Sequence, residues 1–174
     1  MASPLLYPQR VEGGSVVIEE LKPKVEETAK GVPVLAQWLG YAGLAPFVAG
    51  ALELWLLPGV LVDFIERALL TYAAVILSFM GAVHWGLAMR SHRDVINLQL
   101  GLSVIPALLA WVALMLPAVA AYPVFILCFI ALYVFDLQAV KAHMVPGWYP
   151  TLRLPLTIGV VLSLAVAYAY ALMR

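Results

Sequence analysis

An uncharged run from Ala68 to Met89 constrains this chain more than any other feature; Arg67 closes it on one side and Arg90 on the other. These 22 residues make a helix about 33 Å long, the thickness of a hydrocarbon core. Within the run sit His84 and Trp85, among the small residues Ser78, Gly81, Ala82 and Gly86. A titratable side chain at that depth is costly, so its presence asks for a partner or a function.

The remaining composition points the same way. Apolar residues make up 64 % of the chain and charged residues 11 %, against about 45–50 % and 25 % in water-soluble domains. Of the twenty charged residues, nine lie in the first thirty-three positions. The chain is an integral membrane protein by this reading. A net charge of zero gives no reason to invoke nucleic acid. The single cysteine, Cys128, allows no internal disulfide or thiolate metal cluster, and it reads as a small buried hydrophobe. The N-terminus has no short apolar core with a cleavage site, and its five acidic residues argue against an intact transit peptide.

Residues 1–33 read as a polar tail with a short helix in KPKVEETAKG, started by Pro23 and stopped by Gly31 and Pro33. Residues 34–174 read as an all-α bundle of five transmembrane helices. The spacing of charges, prolines and turn residues predicts spans at about 34–57, 67–89, 98–116, 121–140 and 155–173. Pro58-Gly59 and Pro146-Gly147 mark turns, Pro117 to Pro123 the break inside an uncharged stretch from Val95 to Phe135, and Pro155 the start of the last span. Five spans place the termini on opposite faces. Eight lysines and arginines lie on the side of the N-terminus, counting Arg153 in the 141–154 loop, against Arg67 and Arg174 on the other. The N-terminus is therefore expected inside (cytoplasm or matrix) and the C-terminus outside. Trp38, Trp85 and Trp148 fall toward the inner boundary and Trp55 and Trp111 toward the outer one, as interfacial belts do.

Depth picks out the candidate polar residues. His84 lies about 9 Å from the inner end of its span and Asp136 about 7–8 Å from the inner end of its own. The two share a layer with Gln37, Gln99 and Gln138, and Trp85 neighbours it. Such a pair serves as an interhelical hydrogen bond, a proton relay, or a contact for a polar head group such as a quinone ring. Toward the other face, Glu53 and Arg67 are placed to pair across a turn, with Asp63 and Glu66 as alternatives for Arg67, and Asp63 is positioned to cap the second span. Gly159, Ser163, Ala167 and Ala171 repeat every four residues, a small-residue stripe for tight packing against another span or a second protein. No zinc-protease, phosphate-loop or nucleophile-elbow motif occurs, and a bis-histidine haem would need a second histidine within a span. No catalytic residue, metal or cofactor is expected. Inverted repeats are not visible either.

LGYAGLAPFVAGAL (39–52), YAAVILSFMGAVHWGLAM (72–89), LGLSVIPALLAW (100–111) and WYPTLRLPLT (148–157) resemble the transmembrane protein 69 family, multi-pass proteins of bacterial and mitochondrial inner membranes with no assigned role. The resemblance covers about residues 36–172, and its most specific element runs from Ser78 to Gly86. It implies an inner membrane of bacterial type and carries over no catalytic residue, only His84 and Trp85 as a signature. The expected role is an accessory or structural subunit of a larger energy-transducing, respiratory complex, with the lipid bilayer, bound lipids and other membrane subunits as partners. The alternatives are a small proton or ion channel using His84 and Asp136, and a quinone- or lipid-binding protein with a lateral cleft at His84 and Trp85.

Overall fold

The computed structural model describes residues 31–89, 93–142 and 144–174. The expected tail and its short helix lie outside the described residues. From Val32 onward the described chain is helical: α1 (Val34–Leu56), a short 3-10 turn at Gly59–Leu61, α2 (Val62–Ala88), α3 (Arg93–Ala113), α4 (Ala118–Lys141) and α5 (Tyr149–Met173). No strand occurs among the described residues. Three helices, α1, α4 and α5, are long and apolar enough to cross a membrane, and α3 contributes a shorter apolar stretch, Gln99–Ala113. Length and composition make this an integral membrane protein.

The helix bounds differ from the sequence-based spans mainly at the N-terminal ends. α2 starts at Val62 and α3 at Arg93, each five residues before the expected span. Charged residues limit how much of a helix enters hydrocarbon, but they do not stop backbone hydrogen bonding. Asp63 in the first turn of α2 even complements the helix dipole. It does not cap the helix: the N-cap is Leu61, and no side chain bonds the terminal amides. Pro117 takes the N-cap of α4, so that helix starts three residues early and carries Pro123 inside it. α5 begins at Tyr149, not at Pro155, because Pro150 already fills the first turn, where a missing N–H costs nothing. This last shift matters most. It moves Arg153 from a loop into a helix.

Each helix packs on the next in chain order, α5 closes back onto α1, and α2 touches α4 across the middle. Direction follows from residue pairs. Gly40 faces Leu152 and Leu156, Gly159 faces Leu44, and Trp55 bonds the Val166 carbonyl at 3.3 Å. Numbers therefore rise together along α1 and α5, which run parallel. Gly50 faces Leu69 and Tyr72 donates to the Gly43 carbonyl at 2.8 Å, so α1 and α2 run antiparallel. A fifth helix parallel to the first is what five helices of alternating direction require. One end of the bundle holds the starts of α1 and α5 and the end of α2. The other holds Trp55, the start of α2 and Arg174.

The small-residue stripe of α5 meets α1 of the same chain at Gly159. A side chain at Gly159 would meet Leu44 Cδ2 at 2.7 Å, Ser163 is buried, and Ala167 is fully enclosed. Ser163 and Ser78 each return their hydroxyl to the carbonyl four residues back, at 2.8 Å, which hides a polar group in apolar surroundings. The enclosed core is apolar: Phe47, Leu77, Phe125 and Leu164 have no exposure, and Phe47 stacks edge-on against Tyr72 and Phe129. Large apolar side chains cover the outside, including Trp38, Phe64, Phe79, Leu127 and Leu162. The outer tryptophans sit toward the two ends, exposed to the surroundings, as interfacial side chains do.

Tyr122 is the exception in the core. It is fully buried, and its hydroxyl has no partner among the described residues. Removing an unpaired buried hydroxyl removes a desolvation penalty of about 1–3 kcal/mol. Tyr122→Phe is expected to leave the fold intact and raise the unfolding midpoint in detergent by a few degrees. A fall in that midpoint would mean that the hydroxyl is satisfied.

Candidate functional site

The bundle end where α2 and α4 finish and α5 begins gathers the buried polar residues. On α2, Leu77, Gly81, His84 and Ala88 form one buried stripe at helical spacing. On α4, Phe129, Leu132, Asp136 and Ala139 do the same, and on α5, Arg153, Thr157 and Val160. Each polar residue therefore occupies a position that helical periodicity turns inward. His84, Asp136 and Arg153 lie about 6–8 Å from the nearest ends of their helices, so the three form one layer.

Asp136 is the centre. Its Oδ1 lies 2.8 Å from His84 Nε2 and accepts the Tyr149 hydroxyl at 3.1 Å. Its Oδ2 accepts Arg153 Nε at 2.7 Å. The carboxylate is thus held by groups from α2 and α5, and it has the lone pairs to accept all three. Burial is nearly complete, with exposures of 6 % at His84, 2 % at Asp136 and 8 % at Arg153. Bringing one charge into such surroundings costs several kcal/mol; an opposite charge at hydrogen-bond distance offsets this. The His84 ring also packs on Phe135 with centroids 4.5 Å apart, which fixes its plane.

The pairing is single, through Arg153 Nε alone. Arg153 Nη2 is buried and has no hydrogen-bond partner among the described residues, and neither does Thr157 Oγ1 one turn further on. Both residues line a groove of about 420 Å³ that also takes in Gly40, Gly43, Phe79, Phe129, Trp148 and Leu156. His84 lines a smaller cavity of about 220 Å³ with Leu87, Gln99, Gln138 and Met144. Gln99 donates weakly to Met144 Sδ at 3.5 Å, and its Oε1 is buried without a partner among the described residues. Residues of the cluster thus line two spaces, one with Gln99 and Gln138 in its wall and the other largely apolar.

Of the residues singled out from sequence, the structure brings together His84, Asp136 and, across the small cavity, Gln99. Gln37 is exposed and bonds the Val32 carbonyl at 3.4 Å. Trp85 points outward at 43 % exposure, so the tryptophan at the groove is Trp148 instead. The expected Glu53–Arg67 pair does not form. Both residues are exposed, and Arg174 at the end of α5 takes Asp63 at 2.5 Å and Glu66 at 3.9 Å. The parallel run of α5 beside α1 delivers the chain end to that corner, which the sequence order does not reveal.

Sequence reasoning missed Arg153 and Tyr149. A signal existed: Tyr149, Arg153 and Thr157 recur every four residues, and a buried Asp136 needs a cation. Assigning the stretch to a loop hid that periodicity. Among the described residues no group of three or more histidine, cysteine, aspartate or glutamate side chains could hold a metal.

Comparison with known proteins agrees with the membrane architecture. A family model described as a protein of unknown function, DUF3429, matches residues 32–169, which include the entire cluster. Transmembrane protein 69 of Xenopus tropicalis is 39 % identical over 142 residues, covering 78 % of this chain and 54 % of the relative. The chain thus spans about half the length of that relative. No solved structure matches. The chain belongs to the DUF3429 family, the transmembrane protein 69-like membrane proteins of unknown function.

Proposed function

We propose that this protein is a five-pass accessory component of a larger energy-transducing assembly, respiratory in kind, without catalysis of its own. In this reading all five helices cross the membrane, with the N-terminus on the cytoplasmic or matrix side of a bacterial cytoplasmic or mitochondrial inner membrane. Arg153 lies in the bundle, so it no longer counts as a loop charge. Seven lysines and arginines then lie on the N-terminal side against Arg67 and Arg174, which still supports that orientation. The alternating helix directions support five crossings.

One observation carries the reading. The buried polar cluster pairs with itself: Asp136 takes His84, Arg153 and Tyr149, all from this chain. The arrangement clamps α2, α4 and α5 together at one end. From the cluster toward the other end the enclosed core is Phe129, Phe47, Leu77, Phe125 and Leu164, and a lone Tyr122, not a second layer of titratable groups, lies among the buried side chains described. A proton path needs such a layer, so the same observation counts against the channel alternative. An apolar exterior on a bundle with short connections suits contact with lipid and with other membrane helices.

The test is the native mass of the protein extracted from its own membrane in a mild detergent, with co-purifying chains identified. An assembly of fixed stoichiometry is expected. A particle containing this chain alone, found across several mild detergents, would overturn the accessory role.

A further inference from the structure

We propose that the groove beside Arg153 binds an amphiphile with a neutral carbonyl head group and an apolar tail, of the isoprenoid quinone class. The inference goes beyond the accessory role and holds whether or not the chain sits in a larger assembly.

Two unpartnered polar atoms open the argument. Arg153 Nη2 and Thr157 Oγ1 belong to side chains that are about nine-tenths buried, and both line the same groove. Four residues apart on α5, they sit one turn from each other on one face. An orphaned donor in apolar surroundings is expensive, and two on successive turns of a helix that lines one groove can be satisfied by a single ligand there. Guanidinium donates only, and a hydroxyl can donate, so the missing partner is an acceptor oxygen.

Charge narrows the acceptor. Asp136 already balances Arg153 at 2.7 Å. A phosphate or carboxylate head group would bring a second negative charge into apolar surroundings beside that carboxylate, at a high electrostatic cost. A carbonyl oxygen takes the same donors without it.

Shape narrows the rest. The groove of about 420 Å³ has a size typical of small-molecule sites. Gly43 leaves its α1 wall without a side chain, and Phe79, Phe129 and Trp148 offer aromatic surface for a planar ring. Beyond Thr157 the lining stays apolar as far as Val160, with Leu44, Phe47 and Ile76, which suits a tail. The proposal concerns binding; no electron transfer is assigned.

The test uses the full chain in phospholipid nanodiscs free of quinone, titrated with a benzoquinone carrying a decyl tail and followed by tryptophan fluorescence and thermal unfolding. Saturable one-site quenching and a rise in the unfolding midpoint are expected. Thr157→Val keeps the shape and leaves the Asp136 cluster untouched; it should weaken binding about five- to tenfold, as loss of one hydrogen bond does. Gly43→Leu fills the groove and should abolish saturation, since a Cβ there meets nothing nearer than the Tyr72 hydroxyl at 3.8 Å. Ligand-free unfolding of both variants confirms that they fold. Quenching that only matches partition into empty nanodiscs, saturable binding indifferent to both variants, or tighter binding of a decyl carboxylate would each overturn the proposal.

Discussion

Asp136→Ala is expected to be the most damaging single substitution in the bundle. It removes the acceptor for His84, Tyr149 and Arg153 at once and leaves the Arg153 charge buried without its partner. Breaking a buried pair from one side costs about 3–5 kcal/mol. That approaches half or more of a typical domain's net stability, so the variant should accumulate poorly and unfold at markedly lower denaturant. The mechanism can be isolated. Asp136→Leu combined with Arg153→Met removes both charges together and should recover the part of the loss that comes from the unpaired Arg153 charge, while His84 and Tyr149 still lack their acceptor. A double-mutant cycle in detergent unfolding measures the coupling, which should exceed about 1 kcal/mol. Simple additivity would mean that the pair does not hold the helices.

Gly81→Ala should produce the second large effect, and for a different reason. A Cβ at Gly81 would meet the Ser103 backbone carbonyl of α3 at 2.6 Å, with Pro106 Cβ and Cγ at 3.5 Å. Backbone cannot rotate aside as a side chain can, so α2 and α3 must separate. Overpacking of this kind costs about 1–3 kcal/mol. Gly86, on the same helix, provides the control, because a Cβ there would meet no described atom within 4 Å. Gly86→Ala should be neutral or stabilising by up to about 1 kcal/mol, as alanine favours the helix over glycine. Thermal unfolding of the two variants side by side separates packing from helix propensity. Equal responses would sink the close-approach account of Gly81.

The two glycines show how far a sequence can be read. Both stand in the segment from Ser78 to Gly86 and look equivalent there, each a small residue in an apolar run. Only one of them touches a neighbouring backbone. Similarly, the stripe from Gly159 to Ala171 announces close packing, yet the contact of Gly159 with Leu44 of α1 follows from the parallel return of α5.

The class of protein, the number of helices and the shared layer of His84 and Asp136 were legible in the chain alone. Those properties follow from hydrophobicity and from a fixed rise per residue, both of which are local. Matched depth was enough to place His84 and Asp136 in one layer. Packing settled what depth cannot: that α2 meets α4 across the bundle, that α5 extends back to Tyr149 so Arg153 enters the core, and that Arg174 displaces Arg67 as the partner of Asp63 and Glu66. Rotation about each helix axis and the order of helices around the bundle are set by contacts between distant segments. Hydropathy along a chain carries depth, but it carries neither of these angles.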